Sequence, residues 1–584
     1  MSVLPKYPNL KSLEVFYGVH RKKIYGFIVF TIIAGLVALA TPFVLSRVII
    51  NLTGGLYDEM VRVAVILFIL VAAIAATTWI AEYFYTRATN DLFREIRREA
   101  ATRTISMNLA SVYDKGSGFF LERLNEDCRE ASNVYLNVRR SVINLLLNLG
   151  FIGYITILDP LLGLVFAVGL IALYFLEHLR VSRLLENMKR SKRANEKVKA
   201  NEVEILKGIK EIKGLNAKDP IIKKHSMVSS SYTKIKYDRE IFQKNMQNTI
   251  DIVKGAIDLS ILLVAGLYLL PKGMVELAAV LVIYTYKGNI YGLIAALARI
   301  KDTFVNGELA AKRLNDILQA PKDETDRFGE MPIEEEIRSI EFDNVFFEYT
   351  KDRKVLNGTS FKIDGNGIIG FVGKSGSGKS TIFSLLARFH NPASGTIRIN
   401  GTDISTLSEN DVRSNITPVL QDPYIFNDTV MNNLLLAYPE ASPEEVEAAC
   451  RAARIHDEIT AMPEGYDTVI GENGATISGG QKQRLEIARV ILKDSKVMLF
   501  DEATSALDKN NLEKINDLMI ELSKTKMILV IAHRLSIMRR CDRVVVLEDG
   551  KIVAIAPHEE LMTSCEYYRE LFRKNTGAEP AKEN

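Results

Sequence analysis

The eight residues Gly373-Lys374-Ser375-Gly376-Ser377-Gly378-Lys379-Ser380 fit the spacing G-x-x-x-x-G-K-S, with an apolar run at 368–372 before them and a helix opening near Ser380. In that strand-to-helix setting backbone N–H groups cradle phosphates, Lys379 reaches the outer ones, and Ser380, followed by Thr381, holds magnesium. A Gly- and Ser-rich linker would share the glycines but not the strand, the helix and the closing Lys-Ser-Thr. Downstream, Val497-Met498-Leu499-Phe500 reads as a fully buried strand that delivers Asp501 and Glu502 at its C-terminal end, where open α/β sheets place their sites. Behind a phosphate loop, Asp501 suits magnesium and Glu502 suits the attacking water. His533 follows another apolar strand, 527–531, which should neighbour the acidic one and bring the imidazole to the γ-phosphate.

Between the loop and the acids lies Ile477-Ser478-Gly479-Gly480-Gln481, ahead of a helix expected over 481–493 with Leu485, Ile487, Ala488, Ile491 and Leu492 spaced for one buried side. Two glycines ahead of a helix remove side chains where backbone must approach a ligand, and the free N–H groups of a first turn favour an anion. The same letters would also serve a glycine turn that merely caps a helix.

With these elements in this order the chain resembles an ATP-binding cassette (ABC) transporter over nearly all its length. The resemblance implies that Tyr349, in Phe346-Phe347-Glu348-Tyr349, stacks on adenine, and that Gln421 contacts magnesium and senses the membrane part. It also implies that Glu472 lies near the domain interface and that Asp508, in Ser505-Ala506-Leu507-Asp508, meets its counterpart across a dimer. In the family Ser478, Gly479, Gly480 and Gln481 touch a nucleotide held by the Lys379 and Ser380 of a second copy, so that the chain pairs around ATP. Ile477 stands where the family usually has Leu, a swap outside the Ser-Gly-Gly-Gln that leaves activity intact.

These residues need a frame. A chain of 584 residues exceeds a single core, and its composition is uneven: long apolar runs up to about residue 310, then a mixture typical of α/β proteins. Six runs approach or exceed the ~20 residues that cross a bilayer as helix, near 24–50, 61–85, 138–158, 161–182, 247–270 and 275–300. Their connections alternate. Residues 52–60, 159–160 and 271–274 are brief and nearly free of Lys or Arg, whereas 86–137 and 183–246 are long, charged and helical in period. Basic clusters at Arg21-Lys22-Lys23, 94–98, Arg139-Arg140 and 189–193 flank the long side, which places both termini and the ATPase part in the cytoplasm of a multi-pass protein of a bacterial inner or plasma membrane. By resemblance, residues 109–118 and 204–217 are the regions that couple the membrane helices to the ATPase. Four scattered cysteines support neither zinc nor a disulfide framework, the net charge of +3 is too small to argue for nucleic acid, and the first apolar run reads as a retained anchor rather than a cleaved signal.

The expected fold is therefore multidomain: an all-α six-helix transmembrane domain over 1–318, a linker at 319–337, an α/β P-loop nucleotide-binding domain over 338–575 and a disordered tail at 576–584. Within the hairpin of spans five and six, Asp258 and Lys287 each lie 13 residues from the tip, ~20 Å at the helical rise. They form either a structural ion pair or, with Tyr284, Tyr286, Asn289 and Tyr291, part of a substrate path. Asn144 and Asn148 share a helical face and could join helices or bind cargo. The reading is ATP-driven export of a small molecule, lipid or peptide by alternating access, with ATP and Mg2+ as cofactors. The partners are a second half-transporter (a homodimer before a heterodimer), the bilayer and an unidentified cargo. An importer on the same scaffold and a nucleotide-gated membrane regulator are the alternatives.

Overall fold

The computed structural model describes residues 8–273, 276–321, 324–349, 354–420, 423–471, 474, 476–501, 509–531 and 537–576. The chain divides into two compact units, Met1–Ile105 with Lys115–Ala320 and Ser106–Asp114 with Pro321–Asn584.

In the first unit six helices are long and apolar enough to cross a membrane. They belong to the helices Arg21–Thr53, Tyr57–Ile105, Cys128–Leu158, Pro160–Lys207, Lys218–Val264 and Leu277–Leu318, here spans one to six. Spans two, four and five carry on as helix well past their apolar stretches, into sequence whose (i, i+4) pairs such as Glu99–Arg103 and Glu186–Arg190 suit a solvated helix. Asp159 accepts hydrogen bonds from the N–H groups of Leu161 and Leu162 at 2.8 and 2.9 Å, and Pro160 takes the first helical position. The turn from span three to span four therefore needs one residue. A π-helical turn, Arg123–Asp127, precedes span three and brings the buried Asp127 carboxylate onto Arg313 of span six, 2.9 Å from Nε. Two short helices, Pro8–Ser12 and Glu14–Val19, come before span one, with the N–H groups of Asn9 and Leu10 held by Glu308 at 3.1 and 2.9 Å.

The second unit is built on a six-stranded sheet. Its strands are β1 (Gly367–Val372), β2 (Ile416–Val419), β3 (Val497–Asp501), β4 (Met527–Ile531), β5 (Arg543–Glu548) and β6 (Lys551–Ala556). Their order is β6-β5-β1-β4-β3-β2, parallel except at the β5–β6 edge. Every residue of β1 and β4 is buried, as continuous apolar runs require when both faces of a parallel sheet are covered. A second, antiparallel sheet is formed by Lys354–Asp364, Ser339–Glu348, Ser394–Ile399 and Thr402–Asp403 in that order.

Residues 319–337 differ from a free tether. The Gly329 N–H bonds Leu407 O at 2.9 Å, Met331 N–H bonds Thr406 O at 3.0 Å, and Ser408 N–H bonds Met331 O at 2.8 Å. Phe328 lies between two guanidinium groups, 5.1 Å from Arg388 and 5.4 Å from Arg413, and Ile337 is in the core. The same stretch pairs with the start of the first long connection: Asp326 N–H bonds Ser106 O at 3.1 Å and Asn108 N–H bonds Glu324 O at 2.9 Å. Apolar anchors within an acidic, proline-containing composition are the physical reason. At the far end the helix Glu566–Thr576 takes in the first residue of the expected tail, and 577–584 lie outside the described residues.

Candidate active site

Strand β1 runs straight into the phosphate loop, which turns at Gly378. Its φ of +105° suits only glycine, and a Cβ there would meet Leu356 Cδ2 at 2.7 Å. The helix Lys379–Leu386 follows, its N-terminus and free N–H groups at the loop. Lys379 Nζ donates to the carbonyl oxygens of Gly373 and Lys374 at 2.9 and 3.0 Å, so the ammonium is already folded over the loop. Within the loop, Ser377 N–H bonds Lys374 O at 3.1 Å. Ser375 and Gly376 form the exposed turn. Lys374 Nζ lies 5.4 Å over the ring of Tyr567, so the C-terminal helix touches the loop from outside.

Ser380 Oγ donates to Asp501 Oδ1 at 3.1 Å. That bond joins the loop to the end of β3 across the intervening β4, whose last residue, Ile531, is in register with Asp501. A hydroxyl and a carboxylate side by side are hard oxygen donors of the kind Mg2+ takes when water and phosphate complete its octahedron. Among the described residues no group of three or more His, Cys, Asp or Glu could hold a metal. Tyr349 OH is 3.2 Å from Thr381 Oγ1 and the residue is 52% exposed. His390, edge-on to that ring at 5.3 Å, is pushed below its usual pKa by burial and stands there as a neutral imidazole.

The helix after Ile477 begins at Gly479, two residues earlier than expected, because Ser478 serves as its N-cap. Ser478 and Gln481 form a capping box: Gln481 N–H donates to Ser478 Oγ at 3.3 Å and Ser478 N–H to Gln481 Oε1 at 2.7 Å. Gly479 and Gly480 are thus the first turn of the helix, not a loop ahead of it, and leave that turn's outer surface bare. Gln481 Nε2 also donates to Glu458 at 2.9 Å, and the buried Arg484 donates to the other oxygen of the same carboxylate at 2.5 Å. Gln421, Glu472, Glu502, Asp508 and His533 lie outside the described residues.

In the membrane unit Lys287 Nζ is 2.6 Å from Asp258 Oδ2, and Tyr291 OH donates to Asp258 Oδ1 at 2.8 Å. Lys287 also lies 3.4 Å over the Tyr284 ring. Tyr286 is not part of this group; it is buried against Phe151, ring centroids 3.9 Å apart. Asn148 bonds the Asn144 carbonyl of its own helix at 2.7 Å and, among the described residues, joins no second helix through that amide nitrogen.

Sequence reasoning missed Glu458, whose contact with Gln481 crosses 23 residues, and the Phe328 clamp. It also passed over Glu177 and Arg180, paired at 2.7 Å inside span four, although the rule that singled out Asp258 covers them equally.

Two family profiles match the chain: "ABC transporter" over residues 356–505 and "ABC transporter transmembrane region" over 24–292. Over 581 residues, 96% of this chain and 98% of the other, it is 28% identical to a Bacillus subtilis protein whose name, multidrug export ATP-binding/permease protein YgaD, is itself provisional. It is 37% identical over 302 residues to the alpha-hemolysin translocation ATP-binding protein HlyB of Escherichia coli, matching 52% of this chain and 42% of that protein's length. The fold is similar to the structure of a bacterial Atm1-family ABC exporter with ATP bound, with a TM-score of 0.82 and 24% identity over 97% of this chain and 100% of the other.

Proposed function

The chain belongs to the ABC transporter family, with membrane region and ATP-hydrolysing domain fused, and from that premise we propose that two copies pair around ATP to export cargo by alternating access. Lys379 and the N–H groups of 373–378 bind the outer phosphates, and Tyr349 stacks on the base. Ser380, Asp501 and Gln421 would hold Mg2+, which when bound neutralises charge on the transferred phosphoryl group. Glu502 orients the attacking water and His533 steadies the γ-phosphate. Ser478, Gly479, Gly480 and Gln481 of the second copy close the site, with Asp508 at the seam.

The observation that carries this reading is the Ser380–Asp501 hydrogen bond, because it sets the metal-binding hydroxyl beside the acidic strand end that also carries Glu502. Since all these residue types are present in one chain, a homodimer has two competent sites. Nucleotide binds the closed arrangement better and hydrolysis releases it, a population shift that moves the cavity from inward to outward access. Export is supported by a relative named for multidrug export along nearly its full length, and cargo is a small molecule, lipid or peptide. The Lys- and Arg-poor short connections support both termini and the ATPase unit facing the cytoplasm of a bacterial inner membrane.

The test is Glu502→Gln in purified protein in lipid. The variant should retain ATP, lose hydrolysis at least a hundredfold and accumulate as a closed dimer. Near-normal turnover would remove Glu502 from its role.

A further inference from the structure

Where the two N-terminal helices meet spans one, three and six, the first unit contains a cavity of about 450 Å3. That is the size range that encloses small ligands, about 300–1,000 Å3. Leu10, Ile28, Val138, Val142 and Phe304 give it apolar walls, and two charged side chains, Glu14 and Arg139, also line it. The Arg139 guanidinium lies 3.9 Å over the Tyr135 ring, Tyr135 stacks on Tyr17 with centroids 4.3 Å apart, and Tyr17 OH donates to Ala131 O at 2.6 Å. The cation is therefore carried on a fixed aromatic wall. Among the described residues neither Glu14 nor Arg139 has an oppositely charged group within 4.0 Å.

Three helices agree on the depth. Ile28 lies early in the first apolar run, Val138 and Val142 at the start of the third, and Phe304 just after the sixth. All are the ends of spans at which lipid head groups lie. Val142 is 44% exposed, so the apolar wall reaches the outer surface of the chain.

We propose that this cavity binds a phospholipid of the surrounding bilayer whose head carries both a phosphate and an ammonium group, the phosphate on Arg139, the ammonium on Glu14 and part of an acyl chain against the apolar wall. A purely anionic head would leave Glu14 facing like charge, and a purely cationic one would do the same to Arg139. The site is separate from the Asp258–Lys287 pair and does not depend on the direction of transport.

The test uses the full chain in nanodiscs containing phosphatidylethanolamine or phosphatidylglycerol, each with a photoreactive acyl chain, and maps the labelled residues by mass spectrometry. Phosphatidylethanolamine should label residues 134–143 about fivefold more than phosphatidylglycerol, the discrimination that one partly exposed charge pair gives. Glu14→Gln should bring phosphatidylglycerol to parity, Arg139→Gln should lower labelling by both lipids while the preference remains, and Val142→Trp should remove the label. If the tryptophan variant does not fold, the near-isosteric Glu14→Gln variant still decides. Equal labelling by both lipids in the unaltered chain would mean that the two charges only snorkel to water, overturning the proposal. Competition by free phosphoethanolamine would assign the site to a soluble ligand, and an absent label with Val142→Cys cross-linking two copies would assign it to the partner. Either outcome also overturns it.

Discussion

Truncating Phe328 to alanine should detach the segment that joins the sixth span to the ATPase core while leaving the catalytic machinery intact. Phe328 is half-buried against the core and sits between Arg388 and Arg413. A fully buried Phe→Ala change costs about 3–5 kcal/mol, so half burial sets about 2 kcal/mol for this side chain. Each cation–π contact adds about 0.5 kcal/mol at such partly solvated sites. The local loss is then about 3 kcal/mol, or roughly a hundredfold in the docking equilibrium. Hydrogen exchange reads it directly. The Gly329 and Met331 amides, bonded to Leu407 and Thr406, should exchange roughly a hundredfold faster in the variant, provided they open locally rather than by global unfolding. Phe328→Leu keeps most of the apolar body and should fall near tenfold. ATP binding should persist, because the loop at Lys379 is separate, while transported cargo per ATP hydrolysed should drop. Unchanged exchange at both amides would refute the clamp. Faster exchange with an unchanged transport-to-ATPase ratio would refute its part in coupling.

Glu458→Ala leaves the buried Arg484 without its carboxylate and frees Gln481. Because Glu458 is itself 41% exposed, the cost is about 2 kcal/mol rather than the 3–5 of a fully buried pair, and maximal ATPase rate should fall about tenfold with nucleotide affinity of the isolated loop unchanged. Asp326 is held above its ordinary pKa of 3.8 mainly by burial, against the pull of Arg413. The folded state thus binds its proton more tightly than the unfolded one, and this contribution to stability falls as pH rises from the unfolded value through the folded value. Asp326→Asn should raise the unfolding temperature at neutral pH, with the difference from the parent closing below about pH 4. In the span five and six hairpin, Lys287→Met and Asp258→Asn should each lower the unfolding temperature, and the double variant should recover part of the loss. A coupling of about 1–3 kcal/mol would mark a structural tie, whereas additive losses would refute it.

What could be read in the sequence follows the range of the forces involved. Strands β1, β3 and β4 were legible because unbroken apolar runs of four to six residues between turn signals have few other solutions in an α/β unit. The phosphate loop was legible because its conformation demands glycine at Gly378. The same local chemistry was underused at Ser478: a serine three residues before Gln481 is a capping-box pattern, and reading it would have started the helix at Gly479. Tyr286 was also decidable, since Tyr284, Lys287 and Tyr291 recur at three and four residues on one helical face and Tyr286 falls off it, onto Phe151. Glu458 and Arg388 were not decidable. Nothing within a helical turn or a strand pair of either residue specifies partners 23 and 60 positions away. The docking of the linker went unread for a different reason: averaging over 319–337 records its acids and prolines and dilutes Phe328 and Ile337, although two anchors suffice to dock so short a segment.

That docking lies within the second unit, close to the points where the chain enters it. The chain crosses from one unit to the other at 105/106, 114/115 and 320/321. Two of those crossings, more than two hundred residues apart in sequence, are tied together, since Met107 pairs antiparallel with Thr325 and Asp326 N–H bonds Ser106 O at 3.1 Å. The tie is anchored in turn through Phe328 to Arg388, which lies two residues beyond the helix that begins at Lys379. Packed helices move as rigid pieces rather than deforming, so a shift of that helix on gaining a nucleotide must carry Arg388 with it. Phe328, and with it the Met107–Thr325 pair, should follow. If this tie acts apart from the role proposed for Gln421, coupling weakened at Gln421 and coupling weakened at Phe328 should add rather than overlap. If the double variant were no worse than the weaker single one, the two residues would lie on one route and the clamp would be a relay for the glutamine.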